Sequence, residues 1–281
     1  MWRTEEGSTG RLIQLCVGYF AMYVITGVMV KYFLSTGMTG IEYLLYSTLG
    51  GAGIVFPVVV GLKWYRMQSN GSITWGPLTF PQEYLVILPS GVCTAVVIPT
   101  TTLMYTLPIT VMVAMTLMRA SVIIVSRVVD AIQIRQGILH KRVYAEENIA
   151  VALAMGAVGV HVYYGAREGK SFDFLSDAAA LAIFLSYISA YAVRIYLMNY
   201  FKNTRGKGVK LDNKGFFAIE QFAATATMIV ATVAIVAATS DIEQVVAFQT
   251  GIAEPHARWG WAAIGGTAFG VSAFFSVFIF L

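Results

Sequence analysis

The amino-acid sequence predicts an all-α integral membrane protein of about eight transmembrane helices, and three observations predict it. Of 281 residues, 57% are hydrophobic and 12% charged, about half the charge of an ordinary soluble domain, and mean hydropathy is +0.70. The apolar residues gather in runs of the ~20 residues that cross a hydrocarbon core of ~30 Å. The cations fall between those runs, and mostly in alternate loops. A water-soluble core is excluded by the first observation and a single anchor by the second.

The elements follow in order. Residues 1–11 are short and polar, and the run at 12–34 is too long for the apolar stretch of a signal peptide, so it reads as the first span. The second, 41–62, contains Pro57. The third, 84–105, contains Pro89 and Pro99; prolines inside spans kink helices or free carbonyls. It meets the fourth, 107–132, at little more than Thr106, Leu107 and Pro108, which predicts a tight antiparallel hairpin whose polar stripes meet. The remaining spans are 149–164, 175–200, 216–239 and 259–281. The last closes on Phe278, Ile279, Phe280 and Leu281 without the polar flank that spanning helices carry, which reads as a chain cut short.

Twelve cations lie on one side: Arg3, Arg11, Lys63, Arg66, Arg135, Lys141, Arg142, Lys202, Arg205, Lys207, Lys210 and Lys214. Arg167, Lys170 and Arg258 lie on the other. Positive loops stay in the cytoplasm, so the N-terminus is expected there, in a bacterial inner membrane rather than an organelle membrane. Topology accounts for the formal +4 charge without nucleic acid. Cys16 and Cys93 sit in apolar runs and read as small hydrophobes.

The chain also shows signs of an internal repeat. Tyr23 to Leu34, with Lys31 late in the helix, is echoed by Tyr187 to Leu197 with Arg194, and Ile41-Glu42 by Ile219-Glu220. An odd number of spans per unit inverts the second unit, the organisation of many secondary transporters. Residues 1–165 form the first five-helix unit and 171–281 the second, inverted and incomplete, with three helices. Small residues spaced by four at Ala152 and Gly156, and at Gly266 and Gly270, mark close helix packing.

With its fourth span, from Tyr105-Thr-Leu-Pro108 through Arg119 to Arg127, its basic loop and the small-residue helix from Ala152 to Gly159, the chain resembles the drug/metabolite transporter superfamily, which includes bacterial metabolite exporters and nucleotide-sugar and triose-phosphate carriers. That resemblance implies about ten helices in two inverted halves around a central substrate cavity. The sequence differs in stopping after about eight, apparently lacking the last two.

Charged groups inside a bilayer are costly and face protein or water. Arg119 lies near the middle of the fourth span, with Thr116, Ser126 and Asp130 on its face; the third offers Ser90, Thr94, Thr101 and Tyr105 in the same rhythm. Lys31 and Arg194 stand nearer helix ends, where a long cation can snorkel. Tyr23, Tyr46, Tyr187 and Tyr191 add hydroxyls on apolar faces, with Tyr19 as a further member, and Glu42 and Glu220 are the deepest acids. Arg119 in a carboxylate contact with either acid is the structural alternative to a substrate role, and Arg127 with Asp130 reads as a local ion pair. The candidate substrate-binding set is therefore Arg119, Thr116, Tyr105, Thr101, Tyr23, Lys31, Glu42, Tyr46, Tyr187, Tyr191, Arg194 and Glu220.

The surplus of cations among these groups favours an anionic solute. Gly169-Lys170-Ser171 lacks the strand-to-helix context of a phosphate loop, Asn70-Gly71-Ser72 is a glycosylation sequon on the cytoplasmic side, and His140, His161 and His256 are scattered. No metal, cofactor or catalytic group is expected. The functional expectation is a secondary transporter moving a small polar, anionic metabolite by alternating access, not an enzyme; a membrane enzyme or scaffold holding a lipid phosphate is the alternative. The partners are the solute and the lipid bilayer, with a homodimer allowed by the sequence but not required.

Overall fold

A computed structural model describes residues 8–140, 145–167, 177–206, 208–209 and 211–280. The expectations placed on Arg3, Lys141, Arg142, Lys170, Lys207, Lys210 and the Gly169-Lys170-Ser171 run lie outside them. Numbered along the chain, the elements are α1 (Thr9–Ser35), α2 (Gly40–Gly61), β1 (Ser72–Trp75), β2 (Leu78–Pro81), α3 (Tyr84–Thr106), α4 (Val111–Arg135), α5 (Ala145–Arg167), α6 (Ala178–Asn203), α7 (Asn213–Ala237), α8 (Glu243–Ala253) and α9 (Trp259–Phe280). Seven of these, α1 to α4, α6, α7 and α9, are long and apolar enough to cross a membrane, and the chain is a multi-pass helical membrane protein. The fifth predicted span, 149–164, corresponds to α5, whose described apolar stretch is Asn148–Ala157.

The helix starts follow from capping chemistry. Ser8, Thr39, Thr110, Asp177 and Asp212 each accept a backbone N–H two or three residues into the following helix, satisfying donors that have no partner within the helix. Two elements lie outside the predicted spans. Residues 72–81 fold into an antiparallel hairpin with Trp75 opposite Leu78; its two-residue turn opens on Gly76, whose φ of 60° suits a hairpin turn with glycine first. The short helix α8 fills what reads in sequence as a loop before the last span.

The chain divides into two compact units, residues 1–68 with 212–281, and 69–211. The first holds α1, α2, α7, α8 and α9, and the second the hairpin and α3 to α6. These units are not the sequence halves 1–165 and 171–281.

In the first unit α9 is the central helix, packed on α1 and α2. Its contact with α2 is made by glycine: a Cβ on Gly50 would lie 1.7 Å from the Ala263 carbonyl oxygen, one on Gly266 2.1 Å from that of Ser47, and one on Gly270 2.7 Å from that of Gly51. The spacing at Gly266 and Gly270 therefore marks a helix contact, as predicted. Ala152 and Gly156 do not: both are exposed on α5, and a Cβ on Gly156 would meet nothing within 4 Å among the described residues.

In the second unit the principal neighbour of α3 is α6, and α4 packs on α6 and α5. The predicted α3–α4 hairpin forms, but the two helices touch only lightly, so their polar stripes are not the main contact. Within this unit Arg127 Nη2 donates to Asn148 Oδ1 (2.8 Å), Asp130 Oδ1 accepts from Asn199 Nδ2 (3.2 Å), and Gln133 Nε2 donates to the Tyr196 carbonyl (2.8 Å). Arg127 and Asp130 thus reach across to α5 and α6, beyond the local pairing that their spacing suggested.

Candidate functional site

The α3–α6 pair is where buried polarity concentrates. The helix α3 carries no charged residue, and Arg194 is the one charge in the interior of α6. At the end where α3 begins and α6 finishes, Arg205 Nη1 donates to Glu83 Oε1 at 2.6 Å, so the helices run antiparallel. From that pair Arg194 stands eleven residues back along the chain and Thr94 eleven residues forward, each about 16 Å at the helical rise, near half the thickness of a bilayer core.

Arg194 is 8% exposed, with Cζ 5.9 Å from the ring centroid of Tyr191. Tyr191 is in turn 4.8 Å from the ring of Tyr187, which is fully buried. Arginine over an aromatic face is attracted by the ring quadrupole, and more strongly where water is excluded. Sequence reading set Arg194 among the cations free to snorkel; its burial among helices corrects that. Arg119 is half-buried as a residue with its Nη2 buried, and Arg194 is the more enclosed of the two.

The rest of the second unit's candidate set is mixed. Tyr105 and Thr101 are buried, as is Thr94 on the same stripe, and Thr116 is half-buried. The Thr101 hydroxyl donates to Val97 O (2.7 Å) and that of Thr94 to Ser90 O (3.0 Å). A threonine bonded to its own helix keeps acceptor capacity but presents methyl as readily as hydroxyl to a neighbour.

The first unit holds the remaining candidates, and two of them have structural roles. Glu42 is not a deep acid: it lies in the first turn of α2, where its Oε2 accepts from Thr39 N (2.7 Å) and Thr39 Oγ1 (2.9 Å), a reciprocal helix cap. Tyr46 is buried, its hydroxyl donating to Gly251 O (2.9 Å) and accepting from His256 N (3.0 Å). It pins α2 to the α8–α9 segment. Tyr46→Phe strands a buried carbonyl and an N–H, and is expected to lower stability by about 1–3 kcal/mol, measured by thermal unfolding in detergent. Glu220 is fully buried, Lys31 half-buried, and the Tyr23 ring lies 4.7 Å from Tyr19 and 6.0 Å from Phe269. A cavity of about 410 Å³ opens beside Glu42, lined also by Asp241, Glu243 and Thr250; its acidic wall suits no anion.

Sequence reading missed the Glu83 cluster. Glu83 is 5% exposed; besides Arg205 it accepts from the Ser69 hydroxyl (2.5 Å) and from Asn70 N, while Arg205 lies 5.0 Å over the Phe201 ring. Burial works against the charged form, but Ser69, Asn70 and Arg205 together outweigh it and hold the carboxyl below the usual glutamate value. Asn70, read as an unmodified sequon, bonds Thr204 O and Gly206 N. The only signal was an acid placed immediately before an uncharged span.

Among the described residues no three His, Cys, Asp or Glu side chains are grouped to hold a metal. No family model, curated protein or solved structure matches the chain.

Proposed function

We propose that the chain is a secondary transporter of the drug/metabolite type, moving a small polar, anionic organic solute across a bacterial inner membrane by alternating access, with its N-terminus in the cytoplasm. The observation that carries this reading is Arg194, 8% exposed at about mid-span with its Cζ 5.9 Å from the Tyr191 ring centroid. A carboxylate or phosphate is the natural ligand of such a group, since both match its planar fork of donors, and Tyr187 and Tyr191 supply apolar faces for the organic part. Arg119 on α4 adds a second cation in the same unit.

The inverted repeat is supported by pairing rather than by letters. On the repeat register, α1 and α6 are first helices and α3 and α9 third helices; α1 packs on α9, and α6 on α3. The first helix of each half thus lies against the third helix of the other. The tyrosine pairs agree, with Tyr19–Tyr23 at 4.7 Å and 55° and Tyr187–Tyr191 at 4.8 Å and 57°. The Ile-Glu dipeptides are the weaker part of the match, since Glu42 is the third residue of α2 and Glu220 the eighth of α7.

The test is flux in proteoliposomes loaded in turn with amino acids, carboxylates, sugar phosphates and nucleotide sugars. Arg194→Gln is expected to lower flux of the accepted anion about 10- to 100-fold, the worth of a charged hydrogen bond, with Arg194→Lys intermediate and the folded yield of both retained. Flux of cations alone, or equal flux through Arg194→Gln, removes the proposal. Lipid processing without solute flux favours the lipid-phosphate enzyme.

A further inference from the structure

The end of α2 and the start of α7 carry a group of cations that the transport reading does not use, and two of them occupy positions that local rules disfavour. Lys63 closes α2 with φ of 55°, the one non-glycine residue with positive φ among those described. Trp64 N donates to Val59 O (3.0 Å) and Lys63 N to Val60 O (3.1 Å), so Lys63 fills the left-handed position after a helix that glycine ordinarily takes. Lys214 lies in the first turn of α7, where the helix dipole disfavours a cation. Its Nζ stands 5.7 Å from the Trp64 ring centroid.

Trp64 is the fixed platform of this group. Its ring makes edge contacts with Phe274 at 5.8 Å, Phe278 at 6.1 Å and Phe217 at 6.4 Å. Arg66 Cζ lies 6.0 Å over the neighbouring Tyr65 ring. The nearest acid in sequence, Asp212, is engaged in capping α7 through Gly215 N (2.8 Å). Beside the cations, Val60 and Leu62 are exposed, so a ligand here meets positive charge and apolar surface together.

We infer that this junction is a headgroup site for an anionic phospholipid of the surrounding bilayer, its phosphate held by Lys63, Arg66 and Lys214 and its acyl chains laid along Val60 and Leu62. Aromatic rings and basic side chains gather at the depth of lipid phosphates, on the side where anionic lipid attracts juxtamembrane cations. A left-handed lysine immediately before Trp64 in the chain and a cation at a helix start over the Trp64 ring are the kind of local inconsistency expected at functional sites. The adjoining apolar surface favours a lipid over a free anion.

The test uses the full chain in a neutral detergent, titrated with short-chain phosphatidylglycerol, phosphatidylcholine of equal chain length, and inorganic phosphate, and read by melting temperature and tryptophan emission. Phosphatidylglycerol is expected to raise the melting temperature where the other two do not. Lys63→Gly is expected to be at least as stable as the parent in detergent alone, because glycine relieves the left-handed backbone, yet to bind phosphatidylglycerol about fivefold more weakly, and Lys63→Gly with Lys214→Gln about 25-fold. Arg258→Gln, in a loop assigned to the other face, is expected to change nothing. Equal responses to both lipids, an equal response to phosphate, or undiminished affinity in the folded double variant overturns the inference.

Discussion

Gly266→Val is expected to unfold the α2–α9 contact and to lower stability by about 3 kcal/mol or more, the upper end of what overpacking costs. The reason is that both sides of the clash are backbone. A Cβ at Gly266 would stand 2.1 Å from the Ser47 carbonyl oxygen and 2.5 Å from its Cα, and neither can swing away as a side-chain tip does. The helices must separate by more than an ångström, and with them the contacts of Gly50 with Ala263 and of Gly270 with Gly51. In a membrane that loss is not recovered elsewhere, because lipid is as apolar as the helix surfaces and association rests on close packing. Gly51→Ala is the matched control. Its Cβ would meet nothing nearer than 3.5 Å, an ordinary contact, and alanine favours the helix by about 1 kcal/mol. Thermal unfolding in detergent separates the two: Gly266→Val should melt well below the parent and Gly51→Ala level with it or above. Equal melting temperatures for the two variants would remove glycine packing as the principle of this seam.

Span positions were legible because hydrocarbon thickness imposes one length on every crossing. The boundaries of α2 and α3 differ from the sequence reading by a residue at most at each end. The small-residue contact of α9 was legible too, since close approach needs glycine. The hairpin at 72–81 was not, because Ile73, Trp75 and Phe80 are too few for a periodic signal between two spans, and α8 is shorter than any span. For the candidate site, the sequence named the residues but not their depth. Arg194 lies nine residues from the polar end of its helix and could snorkel by spacing alone; only the packing of α3 on α6 encloses it. Glu42 and Glu220 look alike as letters following isoleucine, yet a threonine three residues earlier turns the first into a cap. The Glu83–Arg205 pair joins residues 122 apart, and no local pattern announces a partner at that distance.

That pair gives the second large effect. Glu83→Gln is expected to destabilise the second unit by about 3–5 kcal/mol at neutral pH, since deleting one member of a buried ion pair leaves its desolvation cost without compensation. Both side chains are nearly sealed, at 4% and 7% exposed, and the surrounding donors from Ser69 and Asn70 are arranged for a carboxylate rather than an amide. The pH dependence follows with a definite sign. The native Glu83 carboxyl titrates below the ordinary glutamate value, so the folded state binds that proton less readily than the unfolded chain does. Its stabilisation is therefore complete above about pH 4.3, the unfolded value, and is lost as pH falls through the lower native value. The gap between parent and Glu83→Gln should be constant from pH 7 to about pH 5 and should narrow below pH 4. Replacing both members, Glu83→Met with Arg205→Met, should recover much of the loss, because an apolar pair of similar volume carries no desolvation penalty. Hydrogen exchange reports on the right place: the amide of Asn70 donates to Glu83, and that of Gln82 to Gly71 O at 3.0 Å. Both should exchange faster in Glu83→Gln and slow again in the double variant. A gap that stays constant down to pH 3, or Asn70 and Gln82 amides as protected in Glu83→Gln as in the parent, would show that the charge of Glu83 does not hold the ends of α3 and α6 together.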